Sequence, residues 1–375
     1  IDGTLANIAW APSLVSYNLS WEKIRTWNAG VDFGLFNNRL TGSFDYYIRK
    51  TDDMVGPSEK LPVVLGTAVP SSNNTNLKTF GWELELMWKD RLNNGLNYSA
   101  RFTLADSRTK ITRYSNPSGL IDGFYAGKYV GEIWGYETIG IAQSDQEMAE
   151  HIGRLINGGQ SNLGQDWKAG DIMYKDLNED GKIDAGSRTL QDHGDLKRIG
   201  NSTPRYNVGL ELAADWKGFD IRMFWQGTLK RDYFQGSYYF WGANGRQGPW
   251  FSTALKGHDD YFRNDEASPL GTNLNSYYPR PLFNTDKNQQ SQTKYLQDAS
   301  YLRLKNLQIG YSLPHNIVQK MGMQHLRIFA SGENLFTITS LIDFFDPESI
   351  EGGSWGHGNV YPLSRTFSFG LNVTF

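Results

Sequence analysis

From Thr366 to Phe375 the chain alternates without a break. Phe367, Phe369, Leu371, Val373 and Phe375 fall in one phase and Thr366, Ser368, Gly370, Asn372 and Thr374 in the other. A period of two places every apolar side chain on one face of a strand, which no helix can do. The pattern recurs upstream in Trp27, Ala29, Val31, Phe33 and Leu35, in Leu40, Phe44, Tyr46 and Ile48, and in Trp82, Leu84, Leu86 and Trp88. Tyr98, Ala100, Phe102 and Leu104 continue it, followed by Tyr206, Val208, Leu210 and Leu212 and by Phe219, Ile221, Met223 and Trp225. Between Tyr301 and Leu313 the phase slips from Leu302 and Leu304 to Leu307, Ile309 and Tyr311, which predicts a bulge. A weaker segment near Leu326 to Gly332 completes a set of nine predicted strands.

Their connections alternate in length. Phe36-Asn37-Asn38-Arg39, the turn around Asn93-Asn94-Gly95, and Trp216-Lys217-Gly218-Phe219 read as tight hairpins. Between them lie long polar stretches at 50–78, 106–204, 227–299 and 334–363. Insertions of such length are rare inside a compact soluble domain and usually carry function.

A β-sandwich would direct aliphatic Val, Ile and Leu inward. Here Trp27, Tyr46, Trp82, Trp88 and Trp225 sit near the ends of the apolar faces, and the opposite phase carries Glu83, Glu85 and Arg101. Apolar faces rimmed by aromatics, backed by polar residues and joined by short turns on one side, describe an antiparallel transmembrane β-barrel. Composition agrees: 14% aromatic residues accompany a mean hydropathy of −0.52, as expected if only one face of each strand is apolar and the loops are polar. A helical membrane protein is excluded because no apolar run approaches the ~18 residues a spanning helix needs. A net charge of −3 without a basic block argues against nucleic acid as partner, and the lack of Cys excludes disulfides and thiol chemistry. Counting back from a periplasmic C-terminus, the short turns fall inside, the long connections are extracellular, and residues 1–20 lie outside.

The last residues fit a barrel assembly signal, with Ser368, Gly370, Val373 and Phe375 in its places and Val373 where an aromatic is more usual. Further motifs run in order along the chain. They include Phe33-Gly34-Leu35-Phe36-Asn37-Asn38-Arg39-Leu40-Thr41-Gly42-Ser43 with Asp45-Tyr46-Tyr47, then Gly81-Trp82-Glu83-Leu84-Glu85-Leu86, and Gly170-Asp171-Ile172. Asp176-Leu177-Asn178-Glu179-Asp180-Gly181-Lys182-Ile183-Asp184 follows, then Asp298 to Leu307, Gly332-Glu333-Asn334-Leu335-Phe336 and Tyr361-Pro362-Leu363-Ser364-Arg365. In these the chain resembles the C-terminal part of SusC-like (RagA-type) TonB-dependent outer-membrane transporters of Bacteroidetes-type bacteria. The resemblance implies a plugged barrel of about 22 strands, of which nine are present, with the plug domain and earlier strands absent. The chain is therefore expected to be a portion of a longer polypeptide. The resemblance also implies a SusD-like surface lipoprotein as lid, TonB as energy source, the lipid bilayer as surroundings, and a glycan or peptide nutrient as cargo.

Asp176, Asn178, Asp180, Lys182 and Asp184 have the order of a calcium loop, in which alternate oxygens converge because Gly181 permits a sharp turn. Lys182 would offer only its backbone carbonyl, and position twelve is Ser187 in place of the bidentate Glu. Ca²⁺ is expected ahead of Mg²⁺, as a stiffener of the loop; the alternative is a run of Asx-turns. Tyr238, Tyr239, Phe240, Trp241 and Trp250, with Arg246 and Gln247, crowd one loop and suit a sugar, a peptide or a protein partner, or else pack loop against loop. Gly352-Gly353-Ser354-Trp355-Gly356 beside His357 has the spacing of a nucleophile elbow. That motif requires a strand-to-helix turn, whereas here it lies in a Gly-rich loop. No HExxH, P-loop or dinucleotide fingerprint occurs, so no enzyme is expected. The expected function is active import of a nutrient across the outer membrane, and the alternative is a passive porin or adhesin-like barrel.

Overall fold

The computed structural model describes residues 16, 19–57, 69–243, 254–351, 358 and 360–375. Nine long strands form one antiparallel sheet in sequence order. They are β1 (Lys23–Leu35), β2 (Leu40–Met54), β3 (Thr75–Arg91), β4 (Asn97–Arg113), β5 (Arg205–Trp216), β6 (Phe219–Lys230), β7 (Tyr301–Ser312), β8 (His325–Thr339) and β9 (Thr366–Thr374). All nine predicted strands are present, including the weak one, which extends over β8 and pairs with both neighbours. The sheet is open, with β1 and β9 at its edges.

Register keeps each apolar phase on one face. Val31 opposes Phe44, Phe44 opposes Leu84, Leu84 opposes Leu104, and Leu104 opposes Val208. Large apolar side chains on this face remain open, with Val31 56% and Phe367 68% exposed, because no second layer covers it. The opposite face is polar and internally paired. Arg101 grips Glu85 through two hydrogen bonds of 3.0 and 2.8 Å, and Arg327 donates to Asp220 at 2.9 and 2.5 Å.

Turn chemistry fixes the register at the short-turn rim. Lys217 and Gly218 both take positive φ, the arrangement of a type I′ two-residue hairpin. The predicted bulge appears as a register shift between Leu304 and Asn306 that leaves Lys305 as the extra residue.

The strands outrun their apolar segments at the other rim. β2 continues to Met54 and β4 to Arg113, beyond the predicted loop boundaries at 50 and 106, so the ladder rises past the apolar belt. Backbone pairing does not require an apolar side chain, and hydropathy alone therefore placed these strand ends too early. No helix among the described residues is long and apolar enough to cross a membrane, which says nothing about strands.

Candidate functional site

The long connections after β4, β6 and β8 fold into one cap at this rim. They contribute short ladders that pair 132–136 with 196–201, 138–141 with 172–174 and 232–234 with 296–298. The ten-residue helix α1 (Asp145–Arg154) has Ser144 as N-cap accepting from the Glu147 N–H at 3.1 Å, acids in its first turn and Arg154 in its last. All three connections share one core. Ile121, Tyr136, Ile172, Tyr174 and Leu196 come from the first, Phe240, Trp241, Tyr278 and Tyr295 from the second, and Leu341, Phe345 and Ile350 from the third.

Buried polar groups lock the first two connections together. Asp171 is fully buried and accepts two hydrogen bonds from Arg280, each of 2.7 Å, and one from Asn288 at 2.9 Å. Lys287, only 1% exposed, lies 2.8 Å from the same carboxylate and 4.5 Å above the Trp167 ring. Burial alone would raise the Asp171 pKa, but the bonds from Arg280, Lys287 and Asn288 outweigh it and hold the carboxyl below its ordinary range. Asn288 also accepts from the Ile172 N–H at 3.0 Å, and Tyr174 donates its hydroxyl to the Lys287 carbonyl at 2.7 Å. The third connection is tied to the wall: Arg303 on β7 donates to Asp346 and Glu348, both at 2.9 Å, and Lys305 reaches Glu348 at 3.1 Å.

The expected calcium loop is a chain of Asx-turns. The Asp180 N–H donates to Asn178 Oδ1 at 3.2 Å, Lys182 N–H to Asp180 Oδ1 at 3.1 Å, and Gly186 N–H to Asp184 Oδ1 at 2.8 Å. Lys182 brings its ammonium into the loop, 2.6 Å from Asp184, where the sequence suggested only its carbonyl. Ser187 at position twelve donates to Asp192 at 2.5 Å. Asp176 accepts from Gly181 N–H at 2.8 Å through one oxygen, while its Oδ1 is buried without a hydrogen bond. Among the described residues no three His, Asp or Glu side chains converge as a metal centre, so a cation here would depend on Asn178 and on carbonyl oxygens as well. Asp195, which no motif marks, anchors the loop from below by accepting from the Leu177 N–H at 2.7 Å and the Asp184 N–H at 2.9 Å. Burial, reinforced by nearby Asp176, raises its pKa against the pull of those two bonds.

The expected aromatic cluster divides. Phe240 is buried and Trp241 nearly so, while Tyr238 and Tyr239 are half-buried with ring centroids 4.3 Å apart. Trp250, Arg246 and Gln247 lie outside the described residues, as do Ser354 and His357. Trp241 borders a cavity of about 410 Å³ lined also by His258, Tyr261, Tyr278, Arg280 and Phe283. His258 accepts from the Leu255 N–H at Nδ1 (2.9 Å), so its Nε2–H donates to the Tyr239 and Phe240 carbonyls at 2.9 and 3.1 Å. Burial depresses the His258 pKa despite those two carbonyls. Glu83 and Glu85 lie on the polar face, in a concavity of about 480 Å³ between strands that also includes Asp45, Thr103 and Phe224. At the C-terminus, Ser368 and Gly370 face the polar side in β9, with the Phe329 ring over Gly370, while Val373 and Phe375 fall in the apolar phase.

A sheet with one naked apolar face, one polar face, short turns at one rim and a packed loop cap at the other is the wall of an outer-membrane β-barrel. The chain belongs to the TonB dependent receptor-like, beta-barrel family, whose model matches residues 4–335. It is 29% identical to TonB-dependent receptor P3 of Formosa agariphila over 96% of this chain and 34% of that protein. Against TonB-dependent receptor SusC of Bacteroides thetaiotaomicron the identity is 27%, over 97% of this chain and 33% of the relative. The chain thus spans about a third of the length of these curated relatives. Among solved structures it superposes on the RagAB peptide transporter with a TM-score of 0.66 at 24% identity, covering 95% of this chain and 36% of that one. It also superposes on the open-open state of the RagAB peptide importer, with a TM-score of 0.64 at 23% identity over 95% of this chain and 35% of that one. These superpositions show a common fold.

Proposed function

We propose that the chain forms the C-terminal wall and the external loop cap of a TonB-energised nutrient importer of the SusC type, whose cargo is an oligosaccharide or a peptide. The observation that carries this reading is the cap itself. Three connections from one rim share a core and are held by buried ion pairs, a degree of order that a passive pore does not require. The polar inner face supplies a wet wall, with paired Glu85 and Arg101 and the concavity beside them. Trp241, which lines the cap cavity, and the half-buried Tyr238 and Tyr239 that precede it in the chain are the candidate capture surface, with a SusD-like lipoprotein as lid and TonB acting on a plug. No step makes or breaks a bond. The test is purification of the full-length receptor with its surface lipoprotein, followed by mass spectrometry of the bound cargo. A glycan or peptide released on denaturation supports the reading, whereas a receptor with no such partner and uptake independent of TonB would refute it.

We further propose that the loop around Asp176, Asn178, Asp180, Lys182 and Asp184 takes Ca²⁺ in preference to Mg²⁺. The buried, unbonded Asp176 Oδ1 supports this, since an oxygen left without a donor suits a cation. Lys182 would then withdraw its ammonium and leave its carbonyl in the loop.

A further inference from the structure

The apolar face ends differently at its two rims. At the short-turn rim it closes on Leu40, Trp88, Trp216 and Phe219. At the cap rim, across β1 to β4, the last apolar row is Trp27, Ile48 and Phe80, with Arg108 opposite Phe80. Two residues further along each strand, Arg25 opposes Lys50, Lys50 opposes Lys78, and Lys78 opposes Lys110. Residues directly opposite share a face, so four cations stand in one cross-strand row on the lipid-facing side. With strands ~4.8 Å apart the row spans about 15 Å.

Like charges placed directly opposite destabilise a sheet. Arg25 is partly neutralised by its contact with Asp52. Arg108 and Lys110 lie over the Tyr129 ring at 4.5 and 5.7 Å, whereas Lys50, Lys78 and Lys110 form no ion pair among the described residues. Asp52, paired with Arg25, is thus the one ion-paired anion beside the four cations among the described residues, and the three lysines have none. From Leu40 to Lys50 a strand rises roughly 33 Å along its axis, or about 25 Å along the membrane normal at a tilt of ~40°, which is the height of a barrel's apolar band. The lysines thus emerge where the hydrocarbon ends and headgroups begin.

We infer that the Arg25–Lys50–Lys78–Lys110 row binds a phosphate-bearing lipid headgroup in the leaflet that surrounds the cap. The headgroup supplies the missing anions, and its acyl chains lie on the apolar rows beneath, around Val31, Phe44 and Leu84. A cationic row at the edge of a bilayer attracts anionic headgroups, and several cations together select a headgroup with more than one phosphate. This rests on the cap rim being external, which makes the lipid that of the outer leaflet.

The test uses the full-length receptor in detergent micelles and fluorescently labelled lipid A, either phosphorylated or enzymatically dephosphorylated. The receptor is expected to prefer the phosphorylated form at least tenfold. Lys50→Gln/Lys78→Gln/Lys110→Gln should lose most of that preference, while Lys89→Gln/Arg91→Gln/Arg222→Gln, which removes three cations from the inner face, should keep it. Heat-modifiable migration on gels confirms that both variants are folded barrels. A retained preference in the first variant, equal binding of the two lipids, or displacement of the lipid by inorganic phosphate at matched phosphate concentration would overturn the inference. Lipid binding is read without transport, so a receptor that imports normally yet shows no lipid preference sinks this inference alone, leaving the importer reading intact.

Discussion

Lys287 places its ammonium 2.8 Å from the Asp171 carboxylate, and both side chains are withdrawn from solvent although they belong to different connections of the sheet. The pair binds the connection after β4 to the connection after β6. Breaking a buried pair by removing one charge leaves the other uncompensated, at a cost of about 3–5 kcal/mol. Asp171→Asn is therefore expected to loosen the cap while the sheet stays intact. Hydrogen exchange would show faster exchange in 160–175 and 280–292 and unchanged protection in β1 to β4. Because folding lowers the Asp171 pKa, its contribution is complete above the unfolded carboxylate pKa and disappears as pH falls through the folded value.

His258 supplies a second pH dependence. Its pKa is depressed by burial, so the unfolded state binds a proton more readily than the folded state does. Stability from the neutral ring is present above about 6.5, the ordinary value, and falls as pH drops below it. A proton on Nδ1 would also face the Leu255 N–H that now donates to it. Limited proteolysis of the cap should accelerate between pH 7 and pH 5 in the native protein. His258→Gln should flatten that profile.

Phe240 and Trp241 pack against Tyr278 and Tyr295, so truncating either to Ala is expected to destabilise the cap by about 3–5 kcal/mol. Tyr238→Ala and Tyr239→Ala, at half-buried positions, should leave the thermal midpoint nearly unchanged and weaken cargo binding. Calorimetry on the purified receptor separates the two outcomes, and equal thermal losses for all four variants would remove the tyrosines from the capture surface.

Calcium at about a hundred times its Kd should stabilise the cap by about 2.7 kcal/mol if the loop binds it. Asp176→Asn should abolish that gain. A denaturant midpoint that ignores Ca²⁺ and chelator alike would leave the Asx-turns and the Lys182–Asp184 pair as the whole account of the motif.

The nine strands were legible because one face must meet lipid, and that demand imprints a period of two on every crossing. Even the bulge at Lys305 left its mark as a slipped phase. The cap was not legible in this way. Its ladders, α1 and its shared core depend on contacts such as Tyr136 with Tyr174 and Phe240 with Tyr295, which no local period records. Asp195 carries no motif, yet it fixes both arms of the Asx-turn loop. The strand ends were misplaced for a related reason: Lys50, Lys78 and Lys110 interrupt the hydropathy but not the hydrogen-bonded ladder.

The two faces of the wall should respond oppositely to charge. Leu84→Arg, midway up the apolar face, is expected to cost about 2–4 kcal/mol, and Thr103→Arg on the polar face close to nothing. Urea unfolding of the receptor in micelles measures both.

This chain has no cysteine, so single substitutions can report its placement in the membrane most directly. Ile156→Cys lies in the cap, 83% exposed, Asn94→Cys in a short turn, and Val31→Cys on the apolar face. Intact cells carrying the full-length receptor would be treated with a membrane-impermeant maleimide. A barrel wall with its cap outside predicts labelling at 156, labelling at 94 only after the outer membrane is permeabilised, and none at 31. Labelling of position 94 in intact cells, with position 156 protected, would contradict it.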